Sequence, residues 1–171
     1  MIFGDWLGRW GRTHPQSEAV YDAITDRRYT YGDLSREVNR LARFMSEKLG
    51  VVKGDRVSCL SFNRVEYITL FFAVSRLGAI LVPLNFRLAA AEFDYFMKDA
   101  GPKALFHDAE HEDIALDLSD KFNSVSFVCF EGGPDGVSPW ADFSDQPLAE
   151  VELAADDPQF KIGRASCRER V

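Results

Sequence analysis

The chain has 171 residues, enough for one domain with a sizeable core. It is 46% hydrophobic and 27% charged, which sets it apart from disordered and membrane-embedded chains, and no apolar run is long enough to span a bilayer. A formal charge of -7 argues against nucleic acid as a partner, because proteins that grip a phosphate backbone carry basic stripes.

An amphipathic stretch at Phe3–Trp10 comes first, then a short strand at Ala19–Tyr21, a turn, and a returning strand at Arg28–Thr30. Thr30 and Asp33 have the spacing of a capping box. Leu34, Val38, Leu41, Met45 and Leu49 then recur at helical intervals until Gly50 ends the pattern. Lys53-Gly54-Asp55 is a turn before a strand at Arg56–Phe62. Asn63 and Glu66 fit a helix start, and Val65–Leu77 is apolar around much of its girth, as a helix buried between layers would be. Phe71-Phe72 reads as core.

The segment Ser75–Leu88 is especially informative. Gly78 can take the left-handed conformation that stops a helix, and Ala79–Leu84 has the length and apolarity of a strand covered on both faces. Pro83 lacks an amide donor, so a sheet edge or strand end is expected there. Asn85 and Arg87 follow at the strand's carboxyl end, where ligands of open α/β sheets gather. A helix at Ala90–Ala100 stops at Gly101-Pro102, followed by a strand at Lys103–His107, a helix at Asp113–Phe122 and a strand at Val125–Phe130. This alternation predicts an α/β fold, a mostly parallel sheet flanked by helices. From Glu131 to Pro158 the chain turns rich in Gly, Pro, Asp and Ser, an irregular excursion anchored by Trp140, Phe143 and Leu148.

Cys59 and Cys129 sit in apolar runs and read as small buried hydrophobes; no cysteine pair has metal-ligand spacing. The N-terminal MIFGDWLGRWGRTHP lacks the charged start and apolar core of a signal peptide, and a reducing cytoplasm is the expected compartment. His107 and His111 flank Asp108, Glu110 and Glu112, a set that invites a metal reading. Without a second ligand cluster at proper spacing, an exposed polar loop is expected instead, and no metal site is assigned. Asn85 admits ordinary turn chemistry or a bond to a neighbouring loop.

The last residues, Ile162–Val171, are basic, lack apolar periodicity, and resemble a sequencing-library adapter read in one frame. The domain expectation is a unit over residues 1–160 followed by a non-native tail over 161–171. Cys167 falls in that tail.

RRYTYGDL at Arg27–Leu34, GDRVSCLSFNRVEY at Gly54–Tyr67 and the whole block Ser75–Asp108 resemble the N-terminal part of the adenylate-forming superfamily, which includes acyl-CoA synthetases, adenylation domains and luciferases. The VPLN-x-RL form is similar to acyl-CoA synthetases in particular. Phe86 stands where a Pro is usual, and Ala89 where a Ser or Thr cap is usual. The resemblance implies a truncated N-terminal subdomain of the large domain. The parent enzyme would adenylate a fatty or aromatic carboxylic acid with ATP and Mg²⁺, then pass the acyl group to coenzyme A.

The phosphate loop and the later lysine, adenine and ribose motifs are missing from the sequence, so no catalytic residue is assigned. None of the cofactors is expected to bind the fragment tightly, and it should be inactive alone. Arg87 carries over as a contact to the coenzyme A phosphates, against the alternative of a solvated charge between strand and helix. Two other functions remain open: an adenylation domain that loads a carrier protein, and a small α/β binding module without catalysis.

Overall fold

The computed structural model describes residues 5–132, 136–154 and 157–159. Helix α1 (Trp6–Thr13) is capped by Asp5, whose carboxylate accepts the Gly8 N–H at 2.9 Å. Strands β1 (Glu18–Asp22) and β2 (Arg27–Thr30) form an antiparallel hairpin. The expected capping box then opens α2 (Tyr31–Glu47). Asp33 N–H donates to Thr30 Oγ1 at 3.1 Å, and Thr30 N–H donates back to Asp33 Oδ2 at 3.0 Å.

Next come β3 (Arg56–Leu60), α3 (Val65–Arg76), β4 (Ile80–Pro83), α4 (Ala90–Ala100) and β5 (Ala104–His107). A 3₁₀ turn at Ala109–His111 leads into α5 (Glu112–Lys121), and β6 (Ser126–Cys129) closes the series. Gly78 (φ 64°) and Gly101 (φ 54°) end α3 and α4 in the left-handed region, where a side chain would be strained. The cap of α3 corrects the sequence reading. Arg64, in extended conformation, holds the N-cap position without a side-chain cap bond, and its guanidinium turns instead to Glu66 at 2.8 Å. Asn63 lies one residue too early. Ala89 caps α4 with its backbone alone, its N–H donating to Glu92 Oε2 at 2.8 Å.

The four central strands form a parallel sheet in the order β4-β3-β5-β6. Alternate residues divide its core into two. Val57, Cys59, Leu81, Ala104 and Phe106 face α1, α2 and α3, whereas Leu60, Val82, Leu84 and Leu105 face α4 and α5. Strand β5 is buried along its whole length, His107 included. Cys59 is buried as expected and Cys129 half-buried. Burial pushes the Cys59 thiol well above its ordinary range.

Residues after β6 run as a strap without regular structure among those described. Trp140, 2% exposed, inserts among Phe44, Phe106 and Phe130 with ring centroids 6.2–6.4 Å apart. Asn39 Nδ2 donates to the Asp145 carbonyl at 2.7 Å, Arg43 to that of Gln146 at 3.2 Å, and Lys53 to that of Glu152 at 2.8 Å. Leu81 N–H donates to the Gln159 carbonyl at 3.0 Å, on the side of β4 away from β3. The tail over 161–171 lies outside the described residues.

Candidate functional site at the carboxyl ends of the strands

The chain leaves β3 for β4 through α3 on one face of the sheet and returns past β3 to β5 through α4 on the other. Neighbouring strands β3 and β5 thus send their continuations to opposite faces, the switch point beside which open α/β sheets place their ligands. Ser61 and Phe62 follow β3 there, and His107 and Asp108 close β5. Asn85, Phe86 and Arg87 arrive from β4, and Glu131 from β6.

Asp108 is the hub. It is 1% exposed. Its Oδ2 accepts the Phe62 N–H at 2.8 Å, which ties the β3 loop to the β5 loop. Its Oδ1 bonds His111 Nδ1; an ionised carboxylate only accepts, so the ring nitrogen donates. Burial pushes the Asp108 carboxyl up, but the bonds from His111, Phe62 and Ser61 outweigh it and leave the group below the usual carboxylate range. The His107 ring donates to the Asp108 carbonyl at 3.0 Å.

The sequence reading of an exposed polar loop here is therefore wrong for His107, Asp108 and His111, which are all buried; only Glu110 and Glu112 face solvent. The 3₁₀ turn folds His111 back onto Asp108 and Phe62, which a linear count of polar residues does not reveal. Among the described residues no group of three or more His, Cys, Asp or Glu could hold a metal ion.

A second tie crosses the same rim. The Arg64 guanidinium bonds the Glu131 carboxylate, whose Oε2 also accepts the Ala109 N–H at 3.2 Å. Burial works against both charges, yet pairing prevails: Glu66 and Glu131 hold the Arg64 guanidinium above its ordinary value, and Arg64 holds the Glu131 carboxyl below its own.

Asn85 follows turn chemistry, its Oδ1 accepting the Arg87 N–H at 3.0 Å. Arg87 is exposed and makes no ion pair among the described residues; its guanidinium carbon lies 5.1 Å from the centre of the Phe86 ring. Phe86 packs edge-on against Phe62 at 4.7 Å, and His111 lies against both rings at 4.8 Å from Phe62 and 6.0 Å from Phe86. Phe62 remains 44% exposed. An unpaired guanidinium beside exposed aromatic surface is suited to an anionic group such as a phosphate.

Sequence reasoning missed Asp108, His111, Arg64 and Glu131 as a set. The signal was topological: these residues stand at the ends of adjacent parallel strands. A cavity of about 330 Å³ lies elsewhere, between α1, α2 and the strap. Arg76 in its lining donates to Asp5 at 3.0 Å and also to Asn39, whereas Arg12 and Glu150, also in its lining, are exposed.

A family model described as AMP-binding enzyme matches residues 7–160. The long-chain-fatty-acid–CoA ligase FadD13 of Mycobacterium tuberculosis is 31% identical over 160 residues, which is 92% of this chain and 30% of the relative. The feruloyl-CoA synthase of an Amycolatopsis species is 40% identical over 116 residues, 68% of this chain and 23% of its own length. The chain thus spans less than a third of these curated relatives. The crystal structure of a putative long-chain-fatty-acid CoA ligase from Rhodopseudomonas palustris superposes with a TM-score of 0.84 at 30% identity, covering 98% of this chain and 42% of that one. The inhibitor-bound N-terminal domain of FACL13 from Mycobacterium tuberculosis gives 0.79 at 30% identity, covering 90% and 38%.

Proposed function

Because the chain belongs to the AMP-binding enzyme family, we propose that it is the N-terminal subdomain of an ATP-dependent acid–CoA ligase. The observation that carries this reading is the family match along residues 7–160, together with curated relatives named for CoA ligation of a long-chain fatty acid and of ferulate. The reaction begins with a fatty or aromatic carboxylate oxygen attacking the α-phosphorus of ATP. The bond to the β-phosphate bridging oxygen breaks and pyrophosphate leaves. The coenzyme A thiolate then attacks the acyl carbon and expels AMP.

Mg²⁺ would offset the charge of the departing pyrophosphate. Among the described residues no group of three or more His, Cys, Asp or Glu could hold a metal ion, and the groups that grip the triphosphate are assigned to sequence beyond residue 160. This subdomain supplies a rigid wall and, through Arg87, a cation for the coenzyme A phosphates. Arg87 suits that role because its charge is unspent and its fork matches phosphate oxygens.

The test is the uninterrupted genomic reading frame past codon 160, expressed and assayed with ATP, a carboxylic acid and coenzyme A. Pyrophosphate release and a new acyl thioester are expected. A frame that continues without a Ser/Thr/Gly-rich phosphate loop would refute the proposal, and acyl transfer only to a phosphopantetheine-bearing protein would replace coenzyme A as acceptor.

A further inference from the structure

The geometry points to His111 as a positioning residue for Arg87: pinned by Asp108, its ring props Phe62 and Phe86, and Phe86 in turn sets the direction of the guanidinium. The inference rests on reading Arg87 as a contact to the coenzyme A phosphates.

Three observations carry it. Asp108 is buried, and its two oxygens are divided between the Phe62 backbone and the His111 ring, so one carboxylate fixes the β3 loop and the imidazole together. The imidazole is itself 6% exposed and wedged against two phenyl rings from two other loops. Arg87 has only a backbone tie to Asn85 and the face of Phe86 to steady it. An arginine on a surface loop without a partner samples many rotamers, and ordering it on binding costs affinity. A phenyl face held at a fixed angle removes part of that cost in advance. His111 thus touches neither phosphate nor guanidinium, and acts through Phe86.

The ring and the hydrogen bond of His111 are separable. His111→Asn keeps an amide donor near the position of Nδ1 and loses the ring. His111→Phe keeps a ring and loses the donor. If the ring steers Arg87, the first variant harms coenzyme binding and the second harms stability. A role confined to stability would make both effects move together.

The experiment is NMR on the 171-residue chain and the two variants, with coenzyme A as titrant. One readout is the Arg87 Hδ shift in the unliganded protein, which reports the ring current of Phe86. The second is the dissociation constant from shifts at Arg87, and the third is the urea midpoint. For His111→Asn the Arg87 Hδ resonance moves toward its unstructured value and coenzyme A binds about three- to tenfold more weakly, at a midpoint close to the parent. For His111→Phe both Arg87 readouts stay within about twofold of the parent while the midpoint falls, because Asp108 loses a donor.

An unchanged Arg87 Hδ shift in His111→Asn, or loss of affinity in both variants in step with stability, overturns the inference. The coenzyme reading itself is judged separately in the full-length enzyme, where a KM for coenzyme A unaltered by Arg87→Ala overturns it. The Hδ shift in the unliganded variants still decides the part played by His111.

Discussion

Two arginines stand at opposite ends of the central strands and put the same chemistry to different use. Arg56, at the start of β3, donates to the carbonyls of Ala100 at 2.9 Å, Gly101 at 2.9 Å and Gly54 at 3.2 Å. Its fork is consumed in closing the end of α4 onto the sheet. Arg87, just past the end of β4, donates only its backbone N–H to the protein and leaves its fork in solvent. At the amino ends of the strands charge is a fastener, whereas at the carboxyl ends the fastening falls to Asp108 and Glu131, and one cation is left over. A polar group already paired within the fold has little to offer a ligand, and it is this contrast that the proposed role of Arg87 rests on.

The largest effect should come from the fastener at the carboxyl ends. Asp108→Ala strips the partner from a buried backbone amide and a buried imidazole, and a loss of about 3–5 kcal/mol is expected in urea unfolding. A loss under 1 kcal/mol would remove Asp108 from the comparison.

Arg56→Met leaves three carbonyls without their donor, with an expected cost of about 1–3 kcal/mol. Acid sharpens the contrast further. The folded Asp108 and Glu131 carboxyls titrate below their unfolded range, so their contribution is present above that range and lost as pH falls through the folded values. Asp108→Asn should therefore flatten the acid limb of a stability–pH curve, and a limb of unchanged slope would contradict the assignment. The smallest stability effect belongs to Arg87→Ala, within about 0.5 kcal/mol of the parent. In the uninterrupted enzyme the same substitution should raise the KM for coenzyme A on the order of tenfold, the worth of one charge-assisted bond. A measurable fall in stability with an unaltered KM would make Arg87 a second fastener.

Much of the fold was legible in the sequence because its signals are local. The Thr30–Asp33 box, the left-handed stops at Gly78 and Gly101, and the apolar run of β4 each announce themselves within a few residues. The expected strands and helices through β6 appear, with boundaries trimmed, extended or shifted by up to three residues. The site was less legible because its bonds are not local. Phe62 and Asp108 are 46 residues apart, and Arg64 and Glu131 are 67 apart. His107, Asp108 and His111 look like a solvated polar turn until the order β4-β3-β5-β6 puts them beside Phe62. Arg87 was singled out because a single rule, ligands at the carboxyl ends of parallel strands, needs no knowledge of which strands are neighbours.

Strand β4 lies at the border of the sheet, and its amides reveal how that border is kept quiet. Ile80 and Leu84 donate inward, to Asp55 and Cys59, and Val82 shares their parity. Of the two residues that alternate with them, Leu81 is taken by the Gln159 carbonyl and Pro83 has no hydrogen to give. Among the described residues, a stray strand from another molecule would find no vacant donor at Leu81 or Pro83, so only their carbonyls are left for the lateral pairing that seeds cross-β aggregates.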